Sequence, residues 1–497
     1  VIGSGGPQSR ATAPPVSAGD DSSLAWAVSS RGHSDEAAGA SALRKANLIR
    51  TTAGLMSPPW RCLRFAVAAA MLLLSGCSTL AERGIERGRN AYHVGNFKKA
   101  EEELAKVAEG HSTKATAAAL DLAMVEIASG KADHAIRRLR KLRDDFDGTD
   151  LTAGVGNVAS LVADDNVRRY RPSGYEEVMI RSMLALGSLA VGDGDADSYA
   201  LQAQKKQAEL AQAAQSRGLG SATDVYQPLA LAPYLQGVLR EATMHDYDDA
   251  LRAYQQVSYL QPSFAPVALD IQRCEAGMHS PPNHGALYVI ALVGRGPMLK
   301  EVDAEATTAS MQIATQIYSL AENERFMLPN LVSIKVPKVT IPSSPAAALS
   351  LDSSGVWLGA TQPLVDIGEM ARRQCEAEMP WTLARSIGRR VLKEVAVSQT
   401  TKVVGLKGLP REVTRFAAVN AVSMTEHADT RCWGLLPREV QVLRAELPVG
   451  SHKIGLSVVD ALGRPVGQKN HAVVQIENGR NTYVTVLASD HQAFVAE

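Results

Sequence analysis

The 497-residue sequence has no surplus of either charge, with 52 Lys+Arg against 52 Asp+Glu. That balance argues against a surface dominated by nucleic-acid contacts, which need clustered cations. Aromatic residues make up only 5%, which disfavours an extended aromatic platform for glycans. Cysteine is rarer still, with five in the chain. None sits in a CxxC pair and there are no paired histidines, so no zinc site or disulfide framework is expected. Long apolar runs are missing as well. None after residue 77 approaches the roughly 20 residues that span a bilayer, and the longest clean one, Ala286 to Val293, reads as a buried strand. HExxH, GxSxG, SxxK and Walker signatures are all lacking. The expectation is a binding protein and not an enzyme, without cofactor or metal.

What is present begins with Met71-Leu-Leu-Leu-Ser-Gly-Cys77. Arg61 and Arg64 precede it as a positive n-region, and Phe65 to Leu74 has the length of a signal-peptide apolar core. In place of an Ala-x-Ala site stands Leu74-Ser75-Gly76-Cys77, which resembles the lipobox of bacterial lipoproteins. The bland reading is a chance apolar run with a cysteine. The resemblance implies cleavage before Cys77 and lipidation of its thiol. Two or three acyl chains make such an anchor effectively permanent, since each buried CH₂ contributes about 0.8 kcal/mol. Ser78, in place of an aspartate, favours the outer membrane over the inner one by the same resemblance. Residues 1–55 are rich in Gly, Ser, Ala and Pro without apolar periodicity, and read as an over-long start or a disordered leader ahead of a signal peptide at 56–76.

From Ala81 the pattern is helical and repeats. Gly88, Gly95, Phe97, Ala100, Leu104 and Val107 are followed thirty-five residues later by Ala123, Gly130, Ala132, Ala135, Leu139 and Leu142. This spacing is close to the 34-residue tetratricopeptide (TPR) period. Small residues let paired helices approach, and the glycine between them permits the reversal. Tyr247, Ala250, Tyr254, Val257 and Pro262 give a third, out-of-phase match. A TPR-like helical region is therefore expected over 77–280. Its irregular middle holds a polar insert, Asp164 to Tyr175, and the turn Gly192 to Asp197. Asp193, Asp195 and Asp197 alternate as in a calcium loop, but the twelfth position is Gln204 where a bidentate acid belongs, so an ordinary turn is expected. The basic run Arg137 to Arg143 reads as a solvated helix face.

After Pro281-Pro282 the alternation becomes that of strands, giving a mixed β/α region over 283–397 and a β-rich one over 398–497. Gly294-Arg-Gly-Pro297 has no third glycine and no following Lys-Ser/Thr, so a turn is expected and not a phosphate loop. Strands are expected at Leu331–Val339, and at Ala346–Leu351 with Val356–Leu358 across Asp352-Ser-Ser-Gly355. A helix broken or restarted at Pro380 should run from Val365 to Val395, with Leu383, Ile387, Val391 and Val395 as its apolar stripe. Asn478-Gly479 reads as a hairpin turn, and Leu462-Gly-Arg-Pro465 as another. The fold class expected is α+β: a helical repeat region, then a mixed region ending in a small antiparallel sheet or sandwich. Cys274, Cys375 and Cys432 are expected to be free buried thiols, with a single disulfide among them as the alternative in an oxidising compartment.

Five phrases stand out: Asp165-Asn166 with Tyr170-Arg171, Pro233-Tyr-Leu235 with Gly237, Tyr247-Asp-Asp-Ala250 with Tyr254 and Pro262, Gly294 to Pro297, and Asp429-Thr-Arg431-Cys-Trp433-Gly-Leu-Leu-Pro437. Together they resemble an uncharacterised family of TPR-containing bacterial envelope lipoproteins. Cys432 stands where that family has a small polar residue. The resemblance implies a lipid-anchored periplasmic scaffold that binds envelope proteins, without nucleic acid, in assembly or regulation of envelope machinery. Tyr92 and Tyr234 on the first helices of the hairpins are the expected groove residues. Cell-wall glycan (peptidoglycan) binding by the β region and a purely structural role are the alternatives. A catalytic reading would need His427 and Cys432 to pair beside Asp429 and Arg431, and packing around Trp433 explains the same residues. Cys77→Ala should move the protein from the membrane to the soluble fraction and remove the acyl mass from the mature chain, as read by fractionation and intact mass.

Overall fold

The computed structural model describes residues 80–150, 170–216, 228–308, 310–312, 334–403 and 427–496, with backbone alone at 149–150 and 391–403. Residues 1–55 and 56–76, expected as a leader and a signal peptide, and Leu74, Ser75, Gly76, Cys77 and Asp165-Asn166 lie outside these residues. The fold is mixed α+β, with helices first and sheets after. No helix among the described residues is long and apolar enough to cross a membrane.

Helix α1 (80–93) turns into α2 (Phe97–Ala108), and α3 (Ala115–Ala128) into α4 (Ala132–Asp150). Next come α5 (Gly174–Val191), α6 (Ala196–Ser216), α7 (Leu231–Glu241), α8 (Tyr247–Leu260) and α9 (Val267–Glu275). Each helix packs on the next in the chain. The spacing seen in the sequence has a steric cause. Gly95 and Gly130 take φ of +76° and +72° in the two turns, a region that favours glycine. A Cβ at Gly88 would lie 2.6 Å from Leu104, and one at Gly237 would lie 2.7 Å from the Tyr254 ring, so these glycines set the distance between paired helices. Ala100, Ala135 and Ala250 are buried at the same interfaces, Phe97 is half-buried, and exposed Pro262 follows the end of α8.

The two sides of the helical array differ. Helix α2 is amphipathic, burying only Ala100, Leu104 and Val107. By contrast, α3 is buried almost throughout, and α5 is buried from Gly174 to Ser188. What covers them is the β half. Strands β1 (His284–Val293), β6 (Gln362–Asp366), β7 (Glu439–Pro448), β10 (Asn481–Ala488) and β11 (Ala493–Ala496) form a sheet in the order β11-β10-β1-β7-β6. On β1, Ala286, Tyr288, Ile290 and Leu292 join the helical core, while Leu287, Val289, Ala291 and Val293 face a second core. A strand buried on both faces must be apolar at every position, which explains the uninterrupted run in the sequence. The second core is closed by β4 (Ala348–Ser353), β5 (Val356–Ala360), β8 (Gly450–Val459) and β9 (Asn470–Ile476), a four-stranded antiparallel sheet. Tyr92 and Tyr234 are consequently core residues, 1% and 2% exposed, and do not line an open groove.

Strands from both the 283–397 and the 398–497 segments share each of these sheets. β10 pairs with β1 in parallel, where the sequence pointed to an antiparallel sheet. Asn478-Gly479 is a turn but not a hairpin, since it carries the chain from β9 in one sheet to β10 in the other. The reason is that the turn is bound to β1. Gly479 N donates to His284 O at 2.8 Å and Ala286 N to Arg480 O at 3.0 Å, while Gly285 leaves no room for a side chain against Glu477 O. The Asp352–Gly355 turn does close a hairpin, with Ser354 and Gly355 both at positive φ, and Leu462 to Pro465 joins paired β8 and β9. A separate pair, β2 (Met298–Ala304) with β3 (Ile334–Thr340), packs through Ile334 and Val336 on Leu383 and Ile387 of helix α10 (Ile367–Val403). That helix runs through Pro380 instead of stopping there.

Tyr254 cannot swing away from Gly237, because its hydroxyl donates to buried Glu241 at 2.7 Å. Gly237→Ala should therefore destabilise the protein by about 1–3 kcal/mol despite the better helix propensity of alanine. Gly187→Ala, which meets only the Ile136 side chain at 3.0 Å, should be close to neutral. Urea unfolding of the two variants checks the contrast.

Candidate functional site

An irregular segment, 427–433, followed by the turn at 434–436, threads between the helices and the sheets. It cannot pair with a strand there, so its backbone groups need side-chain partners. Two fully buried carboxylates provide them. Asp121 of α3 accepts from Leu435 N at 2.9 Å, and Glu176 of α5 accepts from Trp433 N at 2.7 Å. Glu176 also takes the Tyr170 hydroxyl at 2.5 Å and the Ser173 amide at 2.7 Å. Arg89 of α1 donates through Nε to Asp121 at 2.6 Å and through Nη2 to Cys432 O at 2.8 Å. Gly434 is needed here, because a Cβ would lie 2.3 Å from the Arg89 guanidinium.

Arg431 is held by both Asp429 oxygens, at 2.8 and 2.6 Å, and donates to Thr113 O at 2.9 Å with its guanidinium over the Tyr170 ring. Trp433 is fully buried in the helical core. Pro437 is buried, and its carbonyl and that of Leu436 press on Gly296, where a Cβ would meet them at 3.1 and 2.1 Å. The phrases Asp429–Pro437 and Gly294–Pro297, far apart in sequence, are thus in backbone contact. Tyr170 joins them. The third group of resembling residues, Tyr234, Gly237 and Tyr254, lies in a different place, around buried Glu241. That carboxylate accepts from Arg273 Nε at 2.9 Å, while Arg444 of β7 donates to Tyr288 of β1 at 3.1 Å. It fastens α7 to α9 onto the sheet.

Where the first two phrases meet, a cleft of about 410 Å³ opens. Its lining comes from α1 (Glu82, Ile85, Glu86, Arg89, Asn90, His93), from α3 and the residue before it (Ala117, Lys114), from Arg295, Gly296, Met298 and Pro342, and from Thr430 to Cys432 and Gly434. Each cation is steadied by a carboxylate: Lys114 by Glu82 at 2.9 Å and Arg295 by Asp490, with Nε 2.9 Å from Oδ2. Burial, reinforced by Arg295 and Arg89 and opposed by Asp490, pushes the His93 imidazole down to about 4, so it is neutral at neutral pH. Burial works against the Arg89 charge, but Asp121, aided by Cys432 and Tyr170, outweighs it.

The candidate nucleophile does not assemble. Burial raises the Cys432 thiol to about 11, leaving it protonated at neutral pH, and His427 sits against Glu301, with Nδ1 3.4 Å from Oε2. Cys274, Cys375 and Cys432 are free thiols, Cys375 being half-buried. The aspartates of the calcium-like turn are engaged otherwise: Asp193 caps Asp195 N at 3.0 Å, and Asp195 and Asp197 pair with Arg140 and Arg240. Sequence reasoning found Asp429, Arg431, Trp433 and Pro437 but missed Asp121, Glu176 and Arg89. The signal available for them was two acids inside otherwise apolar helical runs, Leu120-Asp-Leu122 and Tyr175-Glu-Glu-Val178. Compared with known protein families, curated proteins and solved structures, the chain matches none.

Burial pushes Glu176 above the usual glutamate range, against the pull of its three donors. A native state that holds this proton more tightly than the unfolded chain loses stability as pH rises from the ordinary glutamate value of about 4.3 towards the raised one. Glu176→Gln removes that term, so the gap in stability between variant and parent should change in the variant's favour from about pH 4 to about pH 7. Glu176→Ala should cost about 2–4 kcal/mol at either pH, since it strands several buried donors. Denaturant melts at the two pH values read both.

Proposed function

We propose that the chain is a lipid-anchored bacterial envelope protein that works as a periplasmic protein–protein interaction scaffold in assembling or regulating envelope machinery. The helical hairpins with glycine turns at a thirty-five-residue offset support a TPR-like reading of the helical region. The Leu74–Cys77 phrase supports the anchor. One observation carries the choice of binding place. The face of α3 and α5 that a repeat array would offer to a peptide is filled by the chain's own β half, whereas the cleft beside α1 stays open where two of the family-like phrases meet. Partner binding is assigned to that cleft.

A second reading, glycan contact by the β half, has one observation in its favour. Trp357 on β5 is 70% exposed on the four-stranded sheet, with its indole N–H 3.3 Å from Ser350 Oγ. The two readings predict different neighbours. A photo-crosslinking residue at Asn90 in the cleft should capture a discrete envelope protein in intact cells, and the same residue at Lys98 on the outer helix should not. Crosslinks to peptidoglycan from position 357, with none from position 90, would reverse the order of the readings.

A further inference from the structure

The cleft is bipolar along α1. Glu82, Glu86 and His93 fall at helical spacing on one face, and Glu86 and His93 are two turns apart, roughly 10 Å. At one end stand the two glutamates. Glu82 is tied to Lys114, while Glu86 is exposed. At the other end His93 lies beside Arg295, which has one edge against Asp490 and remains 34% exposed. The lining also offers apolar surface from Ile85, Ala117 and Met298, with Arg89 Nη1 3.7 Å from the Met298 sulfur. An extended chain covers about 10 Å in three residues. Lys114, Arg89, Arg295 and Arg431 each face a carboxylate, so Glu86 is left as the excess charge at one end, and the exposed part of Arg295 stands at the other.

Resting on the assignment of the cleft as the binding place, we propose that its ligand is a short zwitterionic peptide of about three residues. The ammonium end sits at Glu86, the carboxylate at Arg295 beside His93, and small apolar side chains lie against the apolar part of the lining. A neutral imidazole serves this arrangement. It adds no charge to the guanidinium that receives the carboxylate, and it gains affinity for a proton when an anion arrives.

The test titrates the full chain with trialanine in four forms: both ends free, amino end acetylated, carboxyl end amidated, and both blocked. The free form should bind best, and each single block should weaken binding about tenfold, the size of one lost charge-assisted contact. Glu86→Gln should abolish the penalty of acetylation and keep that of amidation, and Arg295→Gln should do the reverse. If Arg295→Gln misfolds because Asp490 loses its partner, the double variant with Asp490→Asn replaces it. The His93 imidazole, followed by NMR, should titrate at higher pH with the free-carboxylate form bound. Equal affinity of all four peptides, absence of binding at millimolar concentration, or loss of both penalties in one variant overturns the proposal. Should a protein crosslink at Asn90 while the four peptides do not differ, the scaffold reading stands and the zwitterion is wrong.

Discussion

The burial of Asp121 and Glu176 is the constraint on which the rest depends. Placing carboxylates in an apolar helical core is costly unless each lone pair finds a donor. Here the donors are main-chain amides of a segment some three hundred positions later, together with Arg89. The helices are incomplete without that segment, and the segment has no strand to pair with except through the helices. Each half supplies what the other leaves unsatisfied, and the position of residues 432–435 is fixed in three dimensions by directional bonds, where apolar packing alone would permit sliding.

From that fixed point the other arrangements follow. The segment leads directly into β7, which pairs with β1, and β1 is the shared wall of both cores. Arg444 on β7 and Glu241 on α7 repeat the device at the far end of the helical array, where buried charged groups again stand between helix and sheet. The open cleft is what remains at the near end, where α1 carries its exposed residues past the point at which the β half stops covering the helices.

Much of this was readable in the sequence. The glycines at 88 and 95, the alanines at 100 and 135 and the run from 286 to 293 each have a local steric or burial cause, and local causes leave periodic traces. Asn478-Gly479 shows the limit: its turn chemistry is right, but the partner of the strand that follows is decided by hydrogen bonds from β1, about two hundred residues away. The short strands β2 and β6 show no clear alternation, and Pro380 reads as a break or a restart because its cost to a helix is local while the packing of Leu383 and Ile387 that outweighs it is not. The cleft beside α1 could not be foreseen, since its walls come from segments joined only by tertiary contacts.

Phe494 of β11 packs edge-on against Phe97 at 5.0 Å and lies so close to Gly95 that a Cβ there would meet its ring at 2.3 Å. The first helical turn and the last described strand are therefore neighbours. Closing a loop of about four hundred residues in one step costs about 5 kcal/mol in chain entropy beyond a constant term. The helical hairpins are local and can form early, but the part of their inner face that β10 and β11 cover stays wet until those strands are available. For a chain made from one end to the other, completion of the core is a late event, and until then the helices present a large apolar surface to whatever holds the unfinished protein.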